Sequence, residues 1–371
     1  MQVLFDHQIF LAQRYGGVSR YFARLSEELL GLGVNADLIA PIYQNKYLKN
    51  LPSNRVHGFE IPRVPYKCGR LGRLINHYSS SWLAKNLKPN IVHETYYNSR
   101  SSITDKNAAR VLTVYDMIHE KFKKQFSATD RTTNLKKLAV ERSGHIICIS
   151  RSTKNDLCEI FDIPREKVSV IHLGVDFLEG VIDVGDIVFE KPFVLYVGGR
   201  GGYKNFEGFI RAFASNKSLS DELSVVAFGG GPIKTREGEL IRSVGLDLHD
   251  IHQIDGDDNT LGALYKKAAA FIYPSLYEGF GLPPLEAMAQ GCPVATSNTS
   301  SMPEVVGHAG EYFEPTDIEA MANALETVVF DFSRRKQLID AGYQRAREFS
   351  WRRCAEETVD VYNAVLTGAP V

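Results

Sequence analysis

Two glutamates with seven residues between them bracket a stretch suited to holding a charged ligand. The string Glu278-Gly279-Phe280-Gly281-Leu282-Pro283-Pro284-Leu285-Glu286 follows an apolar run of strand length, Ala270 to Tyr273. It leads into Leu285-Glu286-Ala287-Met288-Ala289, a helical pattern behind prolines suited to a first turn. The stretch therefore reads as a strand–loop–helix junction. Its glycines let backbone amides come close to a ligand, and a helix N-terminus favours an anion such as phosphate. Carboxylates repel phosphate, so Glu278 and Glu286 are better suited to accept hydrogen bonds from neutral hydroxyls on either side of it. A nucleoside diphosphate sugar has that layout, with ribose on one flank of a diphosphate and the sugar on the other. Taken singly, Glu286 is better explained by helix-dipole complementarity and Glu278 as a solvated loop residue.

Three further glycine clusters bear on the same ligand. After the apolar run Phe193 to Val197 comes Gly198-Gly199-Arg200-Gly201-Gly202-Tyr203-Lys204-Asn205, then a helical pattern through Phe206, Phe209, Ile210 and Phe213. These glycines are out of frame for Gly-x-Gly-x-x-Gly, which argues against a dinucleotide. Arg200 and Lys204 instead offer charge-assisted contacts to two phosphates and can offset charge on a departing diphosphate. Phe228-Gly229-Gly230-Gly231-Pro232-Ile233-Lys234-Thr235 repeats the theme, but a P-loop needs glycine where Ile233 stands, so a nucleoside triphosphatase is excluded. Near the start, Tyr15-Gly16-Gly17-Val18-Ser19 opens a helix whose apolar face is Val18, Tyr21, Phe22, Leu25 and Leu29. The Gly16-Gly17 amides would face a diphosphate, or the pair simply permits a tight turn.

Together, Glu278 and Glu286 with Gly-Phe-Gly-Leu-Pro between them, the Arg200 and Lys204 pair and the Gly16-Gly17 pair resemble the donor-binding signature of the retaining glycosyltransferases of family 4. The likeness is to bacterial mannosyl- and rhamnosyl-type enzymes of polysaccharide assembly, which have the GT-B fold. The resemblance implies donor binding by Gly16, Gly17, Arg200, Lys204, Gly279, Phe280, Gly281, Leu282 and Glu286, with the backbone near Ile254 holding the base. It implies catalytic roles for Glu278, for Arg200 and Lys204, and for a histidine following a strand of the first half. The first position after that strand core is Tyr115, and the sequence reading favours His119 in Tyr115-Asp116-Met117-Ile118-His119-Glu120, with His93 as the alternative. The implied reaction transfers a hexose, with retention, from a nucleoside diphosphate sugar to a hydroxyl of a glycan. A GDP-mannose-type donor, a lipid-linked acceptor and a role in lipopolysaccharide or other cell-surface polysaccharide synthesis are expected. The donor is then a substrate, and no other cofactor and no obligatory metal is implied; Asp255-Gly256-Asp257 is the nearest string to an Asp-x-Asp motif. Two rivals remain: a nucleotide-sugar epimerase, which needs no acceptor, and a non-catalytic nucleotide-sugar-binding protein.

These motifs need a scaffold that ends strands in loops. At 371 residues and 44% hydrophobic content the chain can fill more than one core. Strand and helix patterns alternate throughout, which predicts an α/β protein of two Rossmann-like, doubly wound parallel-sheet domains facing a cleft. The boundary is expected in the acidic connection carrying Asp176, Glu179, Asp183, Asp186 and Glu190, giving an acceptor domain of 1–180 and a nucleotide-sugar domain of 181–350. The last helical pattern, about 351–371, is expected to pack back on the first domain.

A net charge of -1 gives no general affinity for nucleic acid, and no recognition motif accompanies the local basic runs. From Lys46 to Lys88, however, nine Lys and Arg meet the single acid Glu60, interleaved with Tyr47, Phe59, Tyr66, Leu71, Leu74, Ile75 and Trp82. That mixture suits an anionic membrane surface, with Lys67, Arg70 and Arg73 beside Tyr66, Leu71 and Leu74 as the docking cluster; the alternative is a solvated face. A second run, Lys121, Lys123, Lys124, Arg131, Lys136 and Lys137, would extend that face. Five cysteines without a Cys-x-x-Cys pair, no secretory leader at Met1 to His7 and no stretch of about 18 apolar residues point to a cytoplasmic protein, peripheral at the inner face of the membrane.

Overall fold

The computed structural model describes residues 1–62, 69–177 and 189–369. The chain forms two compact units, one of Met1–Gly174 with Ser350–Val371 and one of Val175–Phe349. Each is a parallel sheet clothed in helices. Glu179, Asp183 and Asp186 of the acidic connection lie outside the described residues, as do Tyr66 and Lys67.

The first sheet holds β1 (Gln2–Phe5), β2 (Asn35–Tyr43), β3 (Val56–Glu60), β4 (Ile91–Glu94), β5 (Ala109–Val114), β6 (His145–Cys148) and β7 (Val168–Val170), in the order 3-2-1-4-5-6-7. Val3 lies opposite Ala36 of β2 on one side and Ile91 of β4 on the other. Leu4, Val92, Leu112 and Ile146 are all buried, as expected of strands covered on both faces. The order reverses direction between β1 and β4, which makes that gap the topological switch point of the sheet.

The second sheet holds β8 (Phe193–Val197), β9 (Ser224–Phe228), β10 (Ile251–Ile254), β11 (Ala270–Tyr273), β12 (Val294–Ser297) and β13 (Gly310–Phe313), in the order 10-9-8-11-12-13. Its switch point falls between β8 and β11, which pair with Leu195 opposite Phe271. Phe206, Phe209 and Phe213 at helical spacing join Val194, Tyr196, Val225 and Leu325 in its core.

The C-terminal helix Trp351–Thr367 belongs to the first unit. Tyr362 sits 2.7 Å from His93 Nδ1 on β4, and the Trp351 ring lies 6.4 Å from that of Tyr21. The approach is close enough that a Cβ on Gly174 would come within 2.3 Å of the Trp351 nitrogen.

Candidate functional site

The second unit gathers its motifs at the carboxyl ends of β8 and β11. After β8 the chain passes through a tight turn, Gly202–Lys204, to Asn205, whose left-handed backbone (φ 54°) starts the helix Phe206–Ser215. The Asn205 amide donates to the carbonyls of Pro274 at 3.1 Å and Pro315 at 2.7 Å, and the Leu276 N–H donates to the Tyr203 carbonyl at 2.7 Å. The loops after β8 and β11 are thus fastened together. That fixes Lys204 against Glu278, with Nζ 2.6 Å from Oε1 and 3.4 Å from the Tyr273 hydroxyl. Burial and the Glu278 charge raise the Tyr273 hydroxyl well above its ordinary pKa, so it stays a neutral donor or acceptor.

The Glu278 loop is held from behind. Its N–H donates to Ser300 Oγ at 2.9 Å, and the Ser301 hydroxyl donates to the carbonyls of Glu278 and Phe280 at 2.9 and 2.8 Å. Phe280 is buried 5.8 Å from the Phe349 ring. Gly281 (φ 107°) turns the chain into the helix Leu282–Ala289, and a Cβ there would lie 2.4 Å from Met302 Cε. The helix takes in Pro283 and Pro284 as its first turn and so begins three residues before the sequence pattern placed it, because proline needs no N–H partner there. Glu286 lies one turn in, its carboxylate accepting from Tyr265 Oη at 3.3 Å. Ile254 ends β10 and accepts from the Gly229 N–H.

Arg200 follows β8 and is held within the second unit. Its side chain is only 1% exposed, and its guanidinium donates to Glu237 and to the carbonyls of Gly229, Gly231 and Pro232 at 2.7–3.1 Å. Gly229, Gly230 and Gly231 all have positive φ and wrap around it; a Cβ on Gly230 would come within 2.9 Å of Nη1. This glycine run encloses a side chain, and the bonds it makes use four of the five guanidinium N–H groups, Nη1 making only the bond to Gly229.

In the first unit Gly16 precedes the helix Gly17–Gly31, and the Gln13 side chain fills the space a Cβ at Gly16 would occupy, accepting from the Ser19 N–H at 3.2 Å. His93 is fully buried and uses both ring nitrogens, on Tyr362 and on Thr113 at 2.8 Å. Burial pushes its pKa down to about 3. His119 sits in the short helical turn Ile118–Lys121 after β5, stacked on Phe126 with centroids 4.0 Å apart and Nε2 4.0 Å from Asp130. Lys136 is corrected: it is fully buried on Glu120 at 2.7 Å and is no part of a basic surface.

The basic stretch contains the helix Gly69–Ala84, whose amphipathicity is inverted. Asn76, Ser80 and Ala84 face inward, Asn76 clamping the Ile42 backbone through two 2.8 Å bonds. Leu71, Leu74, Ile75, Tyr78 and Trp82 share the outward face, with Tyr78 and Trp82 76% and 74% exposed. Arg73 is exposed, whereas the Arg70 side chain and Lys67 lie outside the described residues.

Sequence reasoning missed Asp6, His7 and Gln8, which follow β1 directly. The rule that ligands sit beyond strand carboxyl ends was the available signal.

Two doubly wound parallel sheets, each with its switch point after the first strand and the second carrying an ion pair and a helix N-terminus there, define a two-domain GT-B protein. Residues 15–177 match the family described as Glycosyltransferase Family 4, and residues 183–345 match Glycosyl transferases group 1. The chain is 28% identical over 243 residues to an uncharacterized glycosyltransferase of Methanocaldococcus jannaschii, a match spanning 62% of either chain. It is 26% identical over 317 residues to the O-antigen chain mannosyltransferase B of Escherichia coli, covering 78% of both. Among solved structures, Anabaena HepE in complex with UDP and glucose superposes with a TM-score of 0.75 at 16% identity, over 98% of this chain and all of that one. The chain belongs to the family 4 glycosyltransferases. Among the described residues no helix is long and apolar enough to cross a membrane.

Proposed function

We propose that the protein is a retaining hexosyltransferase of cell-surface polysaccharide synthesis, moving a mannose-type hexose from a GDP-mannose-type donor to a hydroxyl of a lipid-linked glycan. The observation that carries this reading is the Lys204–Glu278 pair at the switch point of the second sheet, beside the helix that presents Glu286. An ammonium has three donors, so Lys204 can keep Glu278 and still donate to a phosphate oxygen. Glu278 then accepts from hydroxyls of the reacting sugar and Glu286 from the ribose, with Gly279, Phe280, Gly281 and Leu282 shaping the wall between them. Gly16 and Gly17 approach the diphosphate, the backbone near Ile254 holds the base, and His119 stabilises the sugar and leaving group. Arg200 holds the glycine loop and offers its remaining N–H to the diphosphate, offsetting the charge on the departing group. Retention follows if the leaving phosphate takes the acceptor proton on the face it departs from. The mannosyltransferase relative in Escherichia coli supports the choice of donor.

The inverted helix Gly69–Ala84 supports a peripheral seat on the inner face of an anionic membrane. Its Tyr and Trp suit the interfacial region, and Arg73 and Lys85 add about 1 kcal/mol each within a Debye length of the surface.

The test is incubation with GDP-mannose, UDP-glucose and their relatives, with and without a mannose-terminated acceptor and with and without EDTA, reading products by mass spectrometry and anomeric configuration by NMR. Transfer with retention, undiminished by EDTA, is expected. Inversion, or conversion of the donor sugar with no acceptor present, would refute the reading.

A further inference from the structure

The carboxyl end of β1 holds a histidine that none of these roles uses. His7 is 2% exposed, and neither Nδ1 nor Nε2 finds a hydrogen-bond partner among the described residues. His93, equally enclosed in the same unit, bonds through both nitrogens. A buried polar side chain gives up its hydrogen bonds to water, and one that recovers none weakens the fold around it. Such groups gather where a ligand completes the site.

The backbone that carries His7 is firmly held. The Asp6 carboxylate accepts from the Thr95 N–H at 3.0 Å, the Thr95 hydroxyl at 2.5 Å and the Gln8 side-chain amide at 2.6 Å, while the His7 carbonyl accepts from the Leu11 N–H at 3.1 Å. Gln8 also donates to the Tyr96 carbonyl at 3.1 Å. The loop leaving β1 is thereby fastened to the loop leaving β4 across the switch point of the first sheet, where open parallel sheets bind their ligands.

We propose that His7 is an acceptor-binding residue whose imidazole hydrogen-bonds a hydroxyl of the saccharide that receives the sugar. The inference rests on the glycosyl-transfer reading, since it names a residue for that reaction's second substrate. Burial and, next, the charge of His77 hold the His7 pKa down to about 4, so the ring is neutral at physiological pH and offers one N–H and one lone pair. A hydroxyl gives one hydrogen bond and takes one, and so matches it. A phosphate dianion or a carboxylate can only accept, and would leave the ring's lone pair without a donor.

The test uses the full chain with GDP-mannose as donor and a synthetic mannose-terminated oligosaccharide as acceptor probe. His7→Leu removes both unpartnered nitrogens and keeps an apolar side chain of similar bulk; His7→Gln keeps one donor and one acceptor. For His7→Leu a thermal midpoint at or above wild type is expected, with the acceptor KM raised at least tenfold and the donor KM changed less than twofold. His7→Gln should recover part of the acceptor affinity. Acceptor kinetics within twofold of wild type in a folded His7→Leu protein would overturn the proposal. So would a lowered midpoint with unchanged acceptor KM, which would make the ring structural. Should His7→Leu not fold, the wild-type protein labelled with 15N-histidine decides: ring shifts of His7 must move on saturation with the probe, and a stationary signal overturns the assignment. Wild-type protein that transfers from no nucleotide sugar would remove the reaction itself, a result separate from an indifferent His7.

Discussion

Replacing Glu278 with Gln tests the centre of the second unit, because the two consequences it should have are separable. In the structure Lys204 Nζ lies 2.6 Å from Glu278 Oε1, with the two side chains 21% and 9% exposed. Removing one partner of a fully buried pair costs about 3–5 kcal/mol, whereas exposed pairs are worth about 0–1 kcal/mol. At this intermediate exposure, with the amide still able to accept from Lys204, about 1–2 kcal/mol is expected. That corresponds to about 2–8 °C in the unfolding midpoint for a unit of this size. Catalysis should suffer more. A hydrogen bond between a sugar hydroxyl and a charged acceptor is worth about 1.5–3 kcal/mol, so turnover should fall about ten- to a hundredfold. The assay pairs calorimetry with initial rates at saturating donor, on Glu278→Gln, Lys204→Met and the double variant. A double variant showing the sum of the two single losses in turnover would mean that the residues act independently. Turnover within twofold of wild type in folded Glu278→Gln would refute the sugar-binding role outright.

The other predictions address separate parts of the molecule. Arg200→Ala, which leaves three carbonyls and Glu237 without their donor, should lower the unfolding midpoint and raise hydrogen exchange at Gly229 to Gly231; exchange unchanged there would show that the glycine loop stands without it. Glu286→Gln should weaken GDP binding, read by calorimetry, more than Glu278→Gln does, and the reverse order would exchange the two assignments. Reversing Lys67, Arg70 and Arg73 to Glu, or replacing Tyr78 and Trp82 with Ser, should reduce sedimentation with phosphatidylglycerol vesicles at low salt and slow transfer to a lipid-linked acceptor more than to a soluble one. Equal sedimentation would return the helix Gly69–Ala84 to an ordinary solvated surface. Acid should destabilise the first unit: burial holds His7, His93 and His145 at about 4, 3 and 4, below the ordinary value of 6.5, so the unfolded chain binds more protons once pH drops under about 6.5. Stability should therefore fall as pH drops from there toward 4, with a shallower slope in His93→Gln; an unchanged slope would contradict the assignment.

The alternation of strands and helices was legible because each strand is a short apolar run and each helix carries its own 3.6-residue stripe, both local properties. What sequence could not convey is which side chain fills which space across distant parts of the chain. Gly229-Gly230-Gly231 has the look of a phosphate loop, yet its left-handed turns close around Arg200, 29 to 31 residues earlier in the chain. Lys136 counts as surface charge in a composition window, but it lies on a helix face that turns into the unit and meets Glu120 there. The helix Gly69–Ala84 shows the converse, since its apolar residues have the spacing of a core face and only depth shows that Asn76 and Ser80 face inward.

Lys204 and Glu278 belong to two motifs in the sequence and to one ion pair in the fold. They are separated by 74 residues, and nothing near either names the other. Strand order does. Because β8 lies beside β11 while the chain between them winds off to β9 and β10, the loops leaving β8 and β11 must emerge side by side at the switch point. The first sheet repeats that geometry, with β1 beside β4 and the loops bearing Asp6, His7 and Thr95 fastened together. In the second sheet the position is filled by a charged pair, and in the first by a neutral ring with one N–H and one lone pair.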